Sequence, residues 1–178
     1  MQAPSNSQSA TSSPGVVELR SHSPEETRQL GVRLGQLLEP GDVVLLHGDL
    51  GAGKTAFTQG IGAGLGVRET INSPTFTLLK EYVGRVPFYH FDLYRIEDAE
   101  EIYALGFEDY FGGAGVSVVE WAERGEAADG EAPWSEGWLR INIEQLGPEE
   151  RVLRCTAFGT RAQTLLAALA QIVGGEES

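Results

Sequence analysis

The chain has 178 residues, 13 basic and 26 acidic, with a formal net charge of -13, and its length suits one ordinary domain with a sizeable core. This acidity disfavours direct binding to a nucleic acid, because most of the protein surface would repel the phosphates. The single Cys155 excludes an internal disulfide, and no apolar run suggests a membrane span or a secretion signal, so we expect a cytoplasmic protein without a membrane partner.

The start of the chain has the composition of a disordered tail. Residues 1–15 contain five serines and almost no bulky apolar side chain, so they cannot bury enough surface to offset the entropy cost of ordering. We therefore predict a disordered tail over 1–15 and a single domain over 16–173.

A strand and a helix are predicted to open the domain. Residues 16–20 have the composition of a short strand. The next residues suit a helix start, with Ser23 as N-cap, Pro24 at the first helical position and Glu26 completing a capping box. Leucines at helical spacing continue the helix until the chain turns at residues 39–42.

A phosphate-binding loop follows a predicted buried strand at 43–47. Gly48 and Gly53 have four residues between them, and Lys54 and Thr55 come directly afterwards. Glycines allow positive φ angles and let backbone N–H groups approach phosphates, and the N-terminus of the next helix favours anions. Lys54 is expected to reach the β- and γ-phosphates, and the Thr55 hydroxyl to hold Mg²⁺. The predicted cofactor-binding residues are Asp49, Leu50, Gly51, Ala52, Gly53, Lys54, Thr55 and Ala56.

The rest of the chain predicts a mixed sheet. Glycines in the helix after the loop (residues 60, 62 and 64) would cost stability unless another element packs closely there. Two pairs of extended segments read as hairpins, and a helix closes the chain before residues 174–178 fray. Other predicted elements are a short helix at 98–105 capped by Asp98, a buried strand at 116–119 and a surface loop at 124–137. The expected fold is α/β, a three-layer sandwich like that of P-loop NTPases, with a parallel core and antiparallel hairpin additions.

Two carboxylates are candidates to serve the loop. Asp92 and Glu120 each end an apolar strand, and open α/β sheets bind ligands beyond the carboxyl ends of their strands. An enzyme with a phosphate-binding loop needs one acidic group for the metal and another group to orient the nucleophile. His90 alternates with aromatic residues and is interpreted as an ordinary sheet residue, whereas Trp121 is weighed between core packing and stacking near a base.

These motifs resemble the bacterial TsaE family, also called YjeE. The resemblance rests on residues 48–55, 73–77, 90–95 and 119–121, in order and at fitting spacing. Members are small ATPases required to make threonylcarbamoyladenosine in transfer RNA. The resemblance implies an ATP–Mg²⁺ site in which Thr55 and Glu120 hold the metal and Asp92, with Lys54, is needed for hydrolysis.

The resemblance also implies a mobile segment and two partners. Residues 73–76 lie where the family has a segment similar to a GTPase switch. The partners would be TsaD and TsaB, with transfer RNA reached only indirectly through that complex, and hydrolysis would be slow until they bind.

Two alternatives stay open. A small-molecule kinase would share Lys54, Thr55 and Mg²⁺, but it would also need an acceptor pocket and usually a basic lid, and no Arg-rich lid segment is visible. A non-catalytic adaptor would use ATP only to set its conformation. Replacement of Asp92 separates the adaptor from an ATP hydrolase.

Overall fold

One mixed sheet organises the computed structural model, which describes residues 16–49, 51–73, 77–127, 131–134 and 136–177. The tail predicted over 1–15 lies outside these residues. Seven strands follow the order β1-β7-β6-β2-β5-β4-β3. Their bounds are β1 Val16–Ser21, β2 Val43–His47, β3 Leu79–Val83, β4 Pro87–Asp92, β5 Val116–Glu120, β6 Trp138–Gln145 and β7 Arg151–Phe158.

The centre of the sheet is parallel and both of its sides are antiparallel, which confirms the predicted mixed architecture. Strands β6, β2, β5 and β4 run parallel, whereas β3 pairs with β4, and β7 with β6 and β1, in antiparallel fashion. The two predicted hairpins are therefore present. In this register Asp92 pairs with Glu120, so both acids lie at the same edge of the sheet.

Helices cover both faces of the sheet. The longer helices α1 (Pro24–Leu37), α2 (Lys54–Gly64) and α4 (Thr160–Glu177) pack on one face with Val44, Leu46 and Val118. The short helix α3 (Glu100–Ala104) and 3₁₀ turns at Phe107–Tyr110 and Ala122–Gly125 lie at the other face, against Val43, Leu45 and Phe91. Alternate β2 residues thus face opposite layers, which confirms the three-layer arrangement.

Helices α1 and α2 touch along their backbones. A Cβ added to Gly60 would lie 2.0 Å from the carbonyl oxygen of Arg28, and one added to Gly64 would lie 2.3 Å from that of Val32. Gly31 and Gly35 on α1 are equally constrained by the α2 backbone. This is the close packing that the glycines of α2 predicted, and it fixes the helix that begins at the phosphate loop.

Two helix starts differ in detail from the prediction. Ser23 is the N-cap of α1 and accepts the N–H of Glu26 at 3.1 Å, but the Glu26 carboxylate accepts the N–H of His22 instead of closing the box on Ser23. Helix α3 begins at Glu100 with Ala99 as its N-cap, so the Asp98 cap was wrong by one residue; Asp98 Oδ1 still accepts the N–H of Glu100 at 3.0 Å.

Two further predictions were wrong. Helix α4 continues to Glu177 instead of fraying from residue 174, because the two glycines near its end still adopt helical geometry. The loop predicted to lie on the surface over 124–137 contributes a core residue, since Trp134 is 2% exposed and packs edge-on against Phe111.

Cys155 is buried as predicted, and burial raises its pKa to about 12. None of the described helices is long and apolar enough to cross a membrane.

Candidate functional site

The phosphate-loop segment connects β2 to α2 through glycines in left-handed conformations. Gly51 has φ 82° and Gly53 has φ 113°, backbone angles that residues with a Cβ rarely adopt. Gly53 is the N-cap of α2, and no side chain caps this end of the helix. The first-turn N–H groups therefore remain available to an anion. Leu50, assigned to cofactor binding, lies outside the described residues.

Lys54 is held against the loop that precedes it. Its ammonium donates to the carbonyl oxygens of Gly48 and Asp49 at 2.5 and 3.0 Å. The same nitrogen lies 4.1 Å from the ring centre of Trp121, at cation–π distance. Burial lowers the pKa of Lys54, and nearby carboxylates, first Glu120, oppose that shift. Trp121 is thus a neighbour of the loop lysine as well as a residue at the edge of the core.

Glu120 is the most buried acid of the site and has three side-chain partners. Its Oε2 lies 2.6 Å from His90 Nε2 and accepts the Thr58 hydroxyl at 3.1 Å. Its Oε1 is 3.4 Å from the Thr55 hydroxyl. Oε2 is therefore held by His90 and Thr58, and Oε1 faces Thr55 at the end of the loop.

Asp92 lies beside Glu120 on the neighbouring strand. Ser73 Oγ donates a hydrogen bond to Asp92 Oδ2, and the backbone N–H of Tyr94 donates to Oδ1 at 3.0 Å. Asp92 thereby connects the strand edge to the start of the segment predicted to resemble a switch. Residues 74–76 of that segment lie outside the described residues.

One cleft of about 450 Å³ brings these groups together. Sequence reasoning required Asp92 and Glu120 to lie on the same side of the molecule as Thr55, and the structure places all three in the wall of this cleft. Its described lining consists of Gly51, Gly53, Lys54, Thr55, Ala56, Ser73, Asp92, Tyr94, Glu120 and Trp121.

A second cleft, of about 760 Å³, adjoins the loop on the side of the β6–β7 hairpin. Asp49 and Ala52, which were assigned to cofactor binding, line this cleft together with Gly48 and residues 142–147. Arg151 of β7 supports the loop here, since its Nε donates to the Ala52 carbonyl at 2.8 Å. The loop is therefore bordered by one cleft that holds Asp92 and Glu120 and by another that the hairpin forms.

His47 lies at the end of β2, directly before the loop. Burial, with smaller contributions from the cations Arg140 and Lys54, lowers its pKa from 6.5 to about 4. The imidazole is neutral at pH 7, so the 3.5 Å contact between Nδ1 and Glu123 is not an ion pair at that pH. Burial also raises the pKa of Glu123. His47 is thus poorly solvated, whereas the Glu123 side chain is still 42% exposed.

Two residues of the site, His90 and Thr58, were missed from the sequence. His90 was interpreted as an ordinary sheet residue, yet it contacts Glu120; its position two residues before Asp92 places both on one face of β4. Thr58 follows Thr55 by three residues and so shares its face of α2. The family resemblance implied that the segment around Glu149 and Arg151 lies near the nucleotide's base, but the contact of Arg151 with Ala52, across 99 residues of sequence, was not predicted.

The donor set at Thr55 and Glu120 suits Mg²⁺. Adjacent ligands of an octahedral Mg²⁺ with bonds of about 2.0–2.1 Å lie about 2.9 Å apart, close to the 3.4 Å between the two oxygens. Within the described part of the chain, no group of three His, Cys, Asp or Glu side chains could form a metal site by itself. Mg²⁺ is usually bound by only one or two protein groups, and waters and phosphate oxygens provide the remaining ligands. A site with two protein oxygens fits this pattern.

The mixed sheet, the glycine loop and the helix that starts at Lys54 define a protein of the P-loop class. The family model described as "Threonylcarbamoyl adenosine biosynthesis protein TsaE" matches residues 21–153. The chain belongs to the TsaE family.

Relatives and a solved structure agree with this assignment. The tRNA threonylcarbamoyladenosine biosynthesis protein TsaE of Bacillus subtilis is 46% identical over 147 residues, covering 82% of this chain and 89% of the relative. The protein of the same name from Treponema pallidum is 48% identical over 104 residues, covering 58% and 77%. The crystal structure of Bacillus subtilis YdiB superposes with a TM-score of 0.73 at 37% identity, covering 89% of this chain and 96% of YdiB.

Proposed function

We propose that this protein is an ATP hydrolase that supports the formation of threonylcarbamoyladenosine in transfer RNA. The observation that carries the proposal is the convergence of Lys54, Thr55, Asp92 and Glu120 on one cleft at the N-terminus of α2. The names of its relatives indicate the biological process. A cytoplasmic location fits this role.

Each group has a role that its chemistry suits. The backbone N–H groups of the loop and the Lys54 ammonium bind the phosphates, which requires Lys54 to exchange its two carbonyl contacts for phosphate oxygens. Thr55 and Glu120 would hold Mg²⁺, which would supply positive charge to the phosphates. Asp92, beside Glu120, accepts a hydrogen bond from the attacking water and orients it.

Protein partners fit the charge of the molecule better than direct contact with transfer RNA. A net charge of -13 repels a polyanion but does not hinder docking on another protein. We propose TsaD and TsaB as the partners, with transfer RNA bound by their complex. Hydrolysis is slow in the isolated chain and faster in the complex, where the partners complete the site around Ser73 and Asp92.

Phosphate release from ATP, measured with and without the two partners, tests the proposal. Asp92→Asn should lower the stimulated rate at least about 100-fold while ATP still binds, because the amide is a poor acceptor for the water's proton. Asp109→Asn, at an exposed acid away from the cleft, is the matched control and should keep the full rate.

Three outcomes would contradict the proposal. Equal rates with and without the partners would remove their assigned role. Phosphate transferred to a metabolite instead of water would identify a kinase. Unimpaired modification of transfer RNA with Asp92→Asn would mean that ATP binding alone suffices.

A further inference from the structure

We propose that His90 is a positioning residue which, together with Thr58, holds Glu120 so that one oxygen of its carboxylate faces Thr55. The inference rests on the proposed function, since it concerns how the metal-binding pair is prepared. His90 does not itself line the cleft, and among the lining residues its hydrogen-bonding contact is with Glu120. It therefore acts only through Glu120.

His90 and Glu120 form a buried contact between neighbouring parallel strands. His90 lies on β4, is 0% exposed, and its Nε2 is 2.6 Å from Glu120 Oε2. The ring is held nearly parallel to that of Phe88, with an interplanar angle of 9° and ring centres 6.4 Å apart. The imidazole thus has a fixed orientation with one nitrogen directed at the carboxylate.

The other ring nitrogen indicates which nitrogen donates to Glu120. His90 Nδ1 is buried and has no hydrogen-bond partner in the part of the chain that the structure describes. A buried N–H without an acceptor is costly, whereas an N–H on Nε2 has the Glu120 carboxylate as its acceptor at 2.6 Å. Nε2 is therefore the donor to Glu120.

Thr58 supplies a second donor to the same oxygen. Its hydroxyl lies 2.9 Å from the carbonyl oxygen of Lys54 and 3.1 Å from Glu120 Oε2. One proton can serve only one acceptor fully, and the carboxylate is the stronger acceptor because it is charged. With two donors on Oε2, the remaining oxygen, Oε1, is left to face Thr55 at 3.4 Å.

This asymmetry prepares Glu120 as a metal ligand. A carboxylate without fixed partners would have to be oriented when the metal binds, which weakens binding. Partners of this kind behind a metal ligand commonly change metal affinity by about 10- to 100-fold. We expect an effect of that size when the His90 donor is removed.

Nitrogen chemical shifts of the histidine rings test the hydrogen bond without any metal. The chain has 3 histidines, so comparison with His90→Gln assigns the signals of His90. We expect Nε2 to carry a proton that is hydrogen-bonded to Glu120. An unprotonated Nε2 would overturn the proposal.

Mn²⁺ binding in the presence of a non-hydrolysable ATP analogue tests the consequence, with electron paramagnetic resonance as the readout. His90→Leu should weaken Mn²⁺ binding about 10- to 100-fold, whereas His90→Gln, which keeps a donor, should restore most of the affinity. Affinity for the analogue without metal should stay unchanged. Ser117→Ala is the control, because it removes a buried hydroxyl from β5 that has no hydrogen-bond partner among the described residues.

A second pair of variants keeps the test valid if His90→Leu does not fold. Thr58→Val should weaken Mn²⁺ binding, and Thr58→Ser should retain it. Unchanged affinity in either donor-free variant would overturn the positioning role. The wild-type protein with the analogue should bind Mn²⁺ more tightly than the free analogue does. If it does not, the proposed function is overturned instead.

Discussion

Three charged side chains of the site are almost completely buried. Lys54, Asp92 and Glu120 are 5%, 6% and 2% exposed, respectively. Removing a charge from water is costly, and hydrogen bonds only partly offset that cost. Lys54 shows this most clearly, since its described hydrogen bonds go to carbonyl oxygens and not to a carboxylate. The proposed function accounts for this arrangement, because these charges would bind the phosphates and the metal.

Replacement of Lys54 should therefore separate stability from function. Lys54→Met keeps the length of the side chain but removes the buried ammonium, so the free energy of unfolding should stay within about 1 kcal/mol of wild type or rise. ATP affinity should fall at least about tenfold, because a charge-assisted contact with phosphate is lost. Urea unfolding and calorimetric titration measure the two effects.

Lys80→Met tests the only other lysine and should change neither quantity appreciably, since Lys80 is exposed on β3. A large loss of stability in Lys54→Met alone would show that the ammonium stabilises the fold.

His47 should make the stability of the protein depend on pH. Its pKa is about 4 in the folded protein and 6.5 as the ordinary value, so the unfolded chain binds a proton first as the pH falls. The stabilisation is complete above pH 6.5 and is lost progressively down to pH 4. Between pH 7 and 5, wild type should lose about 1–2 kcal/mol more than His47→Gln in urea unfolding. Parallel pH profiles for the two proteins would contradict this.

At the scale of elements, the contact between α1 and α2 determines where the phosphate loop lies. Glycines at 31, 35, 60 and 64 let the two backbones meet, and α2 begins at Lys54. A larger residue in this contact must move one helix, and a displaced α2 would move the loop with it. Stability and nucleotide binding are therefore coupled through the same helix.

Gly60→Ala should destabilise the protein despite the better helix propensity of alanine. Its Cβ would lie 2.0 Å from the carbonyl oxygen of Arg28, so we expect a loss of about 2 kcal/mol or more in urea unfolding. Gly174→Ala is the matched control in α4, where an added Cβ meets no atom within 4 Å. It should stabilise by about 0.5–1 kcal/mol. The same sign for both variants would contradict the packing argument.

Local patterns predicted the elements well because the causes of those elements are local. Two extended runs joined by a short Gly-containing turn predicted the first hairpin, and alternation of apolar residues predicted the second. The leucine spacing with Ser23 predicted α1. Contacts that depend on register could not be read in this way. Thus the pairing of His90 with Glu120 required knowledge that β4 and β5 are neighbours, and Trp134 entered the core from a segment whose composition is that of a surface loop.

On the scale of the whole molecule, strand order converts two distant acids into one site. β5 lies between β2, which leads into the loop, and β4, which carries Asp92. Parallel strands bring their carboxyl ends to one edge, so Glu120 and Asp92 meet the loop there. The hairpin β6–β7 extends the sheet on the other side and supports the loop through Arg151.

ATP with Mg²⁺ should stabilise the entire protein, because a ligand that binds only the folded state shifts the unfolding equilibrium. At 100 times its dissociation constant the ligand adds about 2.7 kcal/mol. Thermal unfolding should shift upward in wild type, and the additional shift due to Mg²⁺ should disappear in Glu120→Gln. An equal Mg²⁺-dependent shift in Glu120→Gln would contradict the assigned metal ligand.

The most direct test of the account is a crystal structure with a non-hydrolysable ATP analogue and Mn²⁺, in which anomalous scattering locates the metal. We expect the metal within bonding distance of Thr55 Oγ1 and Glu120 Oε1, and the phosphates at the N-terminus of α2. A metal bound away from Glu120, or an analogue bound outside this cleft, would contradict it.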